Sequence, residues 1–132
     1  MLPAEFKTIS ESLGLTAQWL ADRFAVNLRT IQYWQSGDRA NPPDDVCAEL
    51  LTLDELVEEA VEEAFDAVIE LRDEKGLPDE VVLFRFRDEK KLWKHHPEMD
   101  GLPLTCHASL LARLRRRLVE EEINCVINYF ED

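Results

Sequence analysis

Residues 15–37 read LTAQWLADRFAVNLRTIQYWQSG, and the N-terminal half of the fold turns on them. Thr16 is a candidate N-cap for a helix over 17–24, because its hydroxyl can accept from a first-turn amide. Trp19, Leu20 and Phe24 would face the core of that helix. Ala25-Val26 is a tight link. Asn27 can cap a further helix over 28–36, in which Leu28, Ile31 and Trp34 recur at helical spacing and Gly37 marks the stop. Ala21 sits where two such helices cross and where a larger side chain would block close approach. Val26 plugs the gap at the turn, and Ile31 and Trp34 point back into the core.

A helix-turn-helix needs this arrangement physically. The second helix is held out so that its N-terminal residues reach base edges in the major groove. Upstream, Pro3 suits a first helical turn, Phe6, Ile9 and Leu13 keep the period, and Gly14 closes the segment.

As a set, Gly14-Leu15-Thr16, Leu20-Ala21, Asn27 through Ile31 and Trp34-Gln35-Ser36-Gly37 resemble the Cro/C1 type of helix-turn-helix, over about residues 4–53. Ala25 departs from the pattern, since the family often has glycine there. A left-handed residue at this point would carry strain. Gln32-Tyr33-Trp34, Ser36-Gly37 and Pro43-Asp44-Asp45-Val46, followed by a long helix and a small β-containing tail, look more closely like the YdiL-like and anti-CRISPR-associated transcriptional regulators. Members of that group are homodimeric repressors that bind inverted repeats near their own promoters, and some also bind RNA.

The resemblance implies base contacts from Asn27, Leu28, Arg29, Gln32 and Tyr33. Arg29 can bond guanine O6/N7 in bidentate fashion, Gln32 can pair with adenine N6/N7, and Leu28 can touch a thymine methyl. Thr16 and Gln18 would clamp phosphate at a helix start, and Arg39 and Asn41 would add phosphate contacts from the following loop. Two of these residues have a structural alternative: Tyr33 packing on the preceding helix, and Arg39 pairing with Asp44 or Asp45. Trp19 and Trp34 read as core.

The whole chain has 132 residues and a mass of 15.3 kDa, enough for one domain or two very small ones. Its formal net charge is −13, but the excess is local. Lys7, Arg23, Arg29 and Arg39 balance Glu5, Glu11, Asp22 and Asp38 in residues 1–40. Residues 41–80 set fifteen acids against Arg72 and Lys75, and residues 81–132 carry nine charges of each sign. The average charge argues against a basic coat protein and against binding an anionic membrane, yet leaves nucleic-acid binding open at either end. No apolar run approaches the ~20 residues of a membrane-spanning helix, and no signal-peptide pattern opens the chain. A cytoplasmic protein is the expectation. Cys47, Cys106 and Cys125 have no CxxC spacing and read as reduced thiols.

Beyond the loop over 38–42, an apolar set from Val46 to Ile69 keeps a helical period to about Leu71. It fits one helix, or two stacked helices meeting near Thr52. The opposite face, Glu58, Glu59, Glu62, Glu63, Asp66 and Glu70, reads as solvated or as a partner-binding surface. Lys75-Gly76-Leu77-Pro78 is the clearest break. The period then changes to two over 81–87, which predicts a strand with Val82, Phe84 and Phe86 on one face. A short helix over 89–95, a loop over 97–103, a helix over 105–122 and a second strand over 123–130 complete the chain.

The expected fold is mainly α with a small α+β C-terminal part. It comprises a DNA-binding domain over 1–53, a long acidic amphipathic helix over 54–76 and an α+β dimerisation domain over 77–132. Arg113, Arg115, Arg116 and Arg117 form either a solvated or acid-paired face, or a second phosphate-contacting patch with Arg85, Arg87, Lys90, Lys91 and Lys94. The positions of His95, His96, Cys106 and His107 match no standard metal-ligand spacing. No phosphate loop, nucleophile elbow or isolated carboxylate pair appears, so neither an enzyme nor a cofactor is expected. No residue set points to a small-effector pocket. The function expected is a homodimeric, sequence-specific transcriptional repressor bound to double-stranded DNA through helix 28–36. The alternative is an antitoxin-like or adaptor protein that mainly binds a protein partner, with DNA or RNA binding secondary.

Overall fold

The computed structural model describes residues 1–131. The chain is mainly helical, with a small two-stranded parallel sheet near its C-terminal end. The order is α1 (Pro3–Ser12), α2 (Ala17–Phe24), α3 (Leu28–Ser36), α4 (Asp44–Lys75), β1 (Val81–Arg85), α5 (Glu89–His95), a 3₁₀ turn over Pro97–Met99, α6 (Leu104–Glu120) and β2 (Cys125–Tyr129). No helix among the described residues is long and apolar enough to cross a membrane.

The chain forms two compact units, Met1–Leu56 and Val57–Asp132. The boundary falls within α4, a single helix with no break at Thr52, so the long helix begins ten residues before the acidic segment expected over 54–76. Asp44 and Asp45 occupy its first turn and Arg72 and Lys75 its last, charges that complement the helix dipole.

In the first unit the core is Phe6, Leu13, Leu15, Leu20, Ala21, Ile31, Trp34, Val46, Leu50 and Leu53. The Phe6 and Trp34 rings meet edge to face at 6.3 Å. Ser10 is buried but satisfied, its hydroxyl donating to the Phe6 carbonyl at 2.7 Å. Trp19 and Phe24 are half-buried rather than core, because α2 turns its Leu20–Ala21 side inward.

In the second unit β1 and β2 pair in parallel from Val81↔Cys125 to Arg85↔Tyr129. Parallel pairing requires a crossover, which α5, the 3₁₀ turn and α6 supply. The strands are shorter than their alternating patterns, 81–85 against 81–87 and 125–129 against 123–130. Val82 and Phe84 are exposed, whereas Phe86 lies past the strand end and is buried, 5.5 Å from the His95 ring and 5.1 Å from Phe130. The shared face expected for these three residues therefore ends at Phe84. The apolar line of α4 is buried as far as Val61 only; Phe65, Val68 and Ile69 are half-covered.

Candidate nucleic-acid interface

Thr16 caps α2, its Oγ1 accepting from the Trp19 amide at 3.0 Å. Asn27 caps α3, its Oδ1 accepting from both the Thr30 amide and the Thr30 hydroxyl at 3.0 Å. The link between the helices passes through Ala25 at φ 54°, ψ 43°, and the Val26 amide returns to the Ala21 carbonyl at 3.0 Å. The turn therefore adopts the left-handed geometry with an alanine in place and bears the steric cost of its Cβ.

Helix α3 has two sides. Ile31 and Trp34 are buried, while Arg29 and Gln32 are exposed on the side away from them and Leu28 is exposed at the edge between the two sides. Asn27 stands at the start of the helix with its side-chain oxygen committed to the cap. Tyr33 is half-buried, and the Arg39 guanidinium lies over its ring at 5.3 Å from the centroid. A residue expected at bases and one expected at phosphate thus form a cation–π pair. Asn41 is exposed.

Gln18 donates to Asp22 Oδ1 at 3.0 Å, which sets a carboxylate beside an expected phosphate contact. Arg23, which the spacing alone did not single out, pairs with Glu49 at 2.7 Å and lies over the Trp19 ring. Its charge is thereby already partnered.

Three of the four arginines of α6 are engaged within the second unit. Arg113 pairs with Glu58 at 2.6 Å, Arg117 pairs with Glu62 and covers the Phe65 ring, and Arg116 pairs with Glu120 at 3.3 Å. Arg87 pairs with Glu131 at 2.8 Å and stacks over Tyr129. Of the two readings of this basic run, the acid-paired one describes Arg113 and Arg117.

Among the described residues no group of three or more His, Cys, Asp or Glu side chains could hold a metal ion. The three cysteines are free and buried. Burial raises the thiols of Cys47 and Cys125 above their usual range and that of Cys106 to about 11, so all three stay protonated at neutral pH. No protein-family model matches the chain, and no curated protein sequence matches it.

Proposed function

We propose that the chain is a sequence-specific DNA-binding repressor of the Cro/C1 helix-turn-helix type. It acts as a homodimer on an inverted-repeat operator near its own gene. The observation that carries this reading is the two-sided character of α3: Ile31 and Trp34 anchor it, and Leu28, Arg29 and Gln32 stand exposed side by side at its N-terminal half. These are the residue types that read thymine, guanine and adenine edges.

Charge supports a dimer. The Lys and Arg side chains of residues 1–56 are Lys7, Arg23, Arg29 and Arg39, and Arg23 is paired with Glu49. So few phosphate contacts give weak binding at physiological salt. Two copies with recognition helices about 34 Å apart recover the affinity. The second unit keeps Ile127 and Tyr129 exposed on one face of its two-stranded sheet, an apolar surface that a second copy would cover, while Val82 and Phe84 are exposed on the opposite face.

A titration of DNA from upstream of the protein's own gene, with scrambled competitor and at two salt concentrations, tests the reading. Tight, competitor-resistant binding at two protomers per duplex is expected. Equal affinity for competitor would overturn it. The second reading, an adaptor that binds a protein partner, is favoured by the exposed acids Glu59, Glu63, Asp66 and Glu70 of α4. A stable co-purifying protein lost on replacing these four acids would support that reading.

A further inference from the structure

The second unit holds a cavity of about 270 Å³. Most of its wall is apolar: Ala60 and Ala64 of α4, Phe84 of β1, and Leu111 and Leu114 of α6. The remainder is polar and consists of His96, Glu98 and His107. His96 Nδ1 is 3.2 Å from Glu98 Oε1, so these two satisfy each other. His107 does not share in this. It is 3% exposed, its ring is 5.3 Å from that of His96, and its Nδ1 is buried without a hydrogen-bond partner. Buried polar atoms are nearly always bonded, and each exception calls for a cause. Here the orphan belongs to a residue that lines a cavity.

We propose that this cavity is a binding site for a small aromatic alcohol of the phenol class, whose hydroxyl bonds to His107 Nδ1 and whose ring lies between Phe84, Ala64 and Leu111. Size, polarity and charge select the class. A cavity of 150 Å³ holds benzene, so this one takes about ten non-hydrogen atoms. One orphaned nitrogen, in a wall whose other polar groups, His96 and Glu98, bond each other, asks for one polar group. A hydroxyl donates to Nδ1 when that atom is bare and accepts when it carries the hydrogen, so the match holds for either tautomer. Burial lowers the His107 pKa to about 4, which keeps the ring neutral, and Glu98 repels carboxylates; an uncharged ligand is therefore preferred. The site lies wholly within residues 57–131, so it stands apart from the DNA-binding reading of α3.

The test is a titration of the full chain with p-cresol and, separately, with toluene, followed by NMR of the Leu111 and Leu114 methyls. Saturable shifts are expected with p-cresol, at an affinity about tenfold above that for toluene, as one hydrogen bond would give. His107→Leu should bring p-cresol down to the toluene level. That variant should fold, since replacing an unpaired buried polar group by an apolar one is tolerated. Ala60→Leu, which fills the cavity, should abolish both shifts. Equal affinity for the two probes in the wild-type chain, or no saturable shift with either, would overturn the proposal. So would methyl shifts that follow protein concentration instead of probe, because a second copy would then occupy the surface.

Discussion

Arg113 Nη1 lies 2.6 Å from Glu58 Oε1, and one helical turn further along both helices Arg117 meets Glu62. The equal spacing on the two helices means that α4 and α6 run in the same direction where they meet. The pairs are half-exposed, so each is expected to contribute less than about 1 kcal/mol. Arg117→Ala should cost more than Arg113→Ala, because the Arg117 guanidinium also sits 3.9 Å from the Phe65 ring centroid. Urea denaturation at low and high salt reads both effects, and the loss should shrink as salt screens the pairs. If either variant lost nucleic-acid affinity at unchanged stability, the basic run would be a phosphate patch after all.

Ala25 holds φ at 54° with a Cβ attached. Ala25→Gly should stabilise the chain by roughly 0.5–1 kcal/mol, the relief of left-handed strain less the added freedom of the unfolded chain. Ala25→Val should lower stability, since a β-branched side chain fits that geometry worse. Thermal melting of the two variants checks the direction.

Gly37 ends α3 at φ 78°, and a Cβ there would lie 3.0 Å from Pro3 Cγ. Gly37→Ala should therefore cost more than about 1 kcal/mol, combining backbone strain with a clash. Adding Pro3→Ala should recover only the clash. A double-mutant cycle in urea separates the two parts.

On the DNA reading, Arg29→Ala and Gln32→Ala should each lose roughly 1–3 kcal/mol of discrimination at one operator base while fold and dimer stay intact. Arg39→Ala should weaken all sequences about equally and flatten the salt slope. Asp22→Asn should strengthen binding uniformly, because it removes a carboxylate that Gln18 now bonds. Asn27→Ala should chiefly destabilise α3, by about 0.5–2 kcal/mol, through loss of its cap. Competition titrations at two salt concentrations, paired with melting curves, distinguish the four outcomes.

His107 has its pKa lowered to about 4 by burial, with His96 and Arg85 pressing the same way and Glu98 opposing. In the unfolded chain the ring takes up its proton near pH 6.5. Between those values the unfolded state binds more protons, so the contribution of His107 is complete above pH 6.5 and is lost as pH falls toward 4. The stability difference between wild type and His107→Leu should shift across that window in favour of the leucine variant as the solution is acidified. Denaturation at pH 7.5, 5.5 and 4.5 measures it, and a difference independent of pH would contradict a buried neutral ring.

Much of the first unit was legible because its signals are local. Pro3, Thr16, Asn27 and Gly37 mark helix ends through bonds or angles that span a few residues. The 3.6-residue period named Ile31 and Trp34 as buried. The half-burial of Tyr33 was not decided by that period, since it depends on Arg39 folding over its ring. The continuity of α4 at Thr52 was likewise left open, because the apolar period fits one helix and two stacked ones equally.

The second unit shows where local reading stops. Alternation announced two strands, but their parallel register is set by the crossover through α5 and α6. His107 lies on the same helical line as Leu111 and Leu114, and the sequence alone cannot tell a satisfied imidazole from an orphaned one.

Taken alone, then, the chain's residue order determined its helix ends, its buried helical faces and the row of Leu28, Arg29 and Gln32, since these follow from periodicity and capping within one or two turns. Tertiary structure alone decided which arginines meet which carboxylates, how far the sheet faces stay exposed and that His107 borders a cavity. Apart from the local Arg116–Glu120 pair, those contacts join partners far apart in the chain, such as His96 and His107 or Glu58 and Arg113, and no local pattern encodes a contact across that distance.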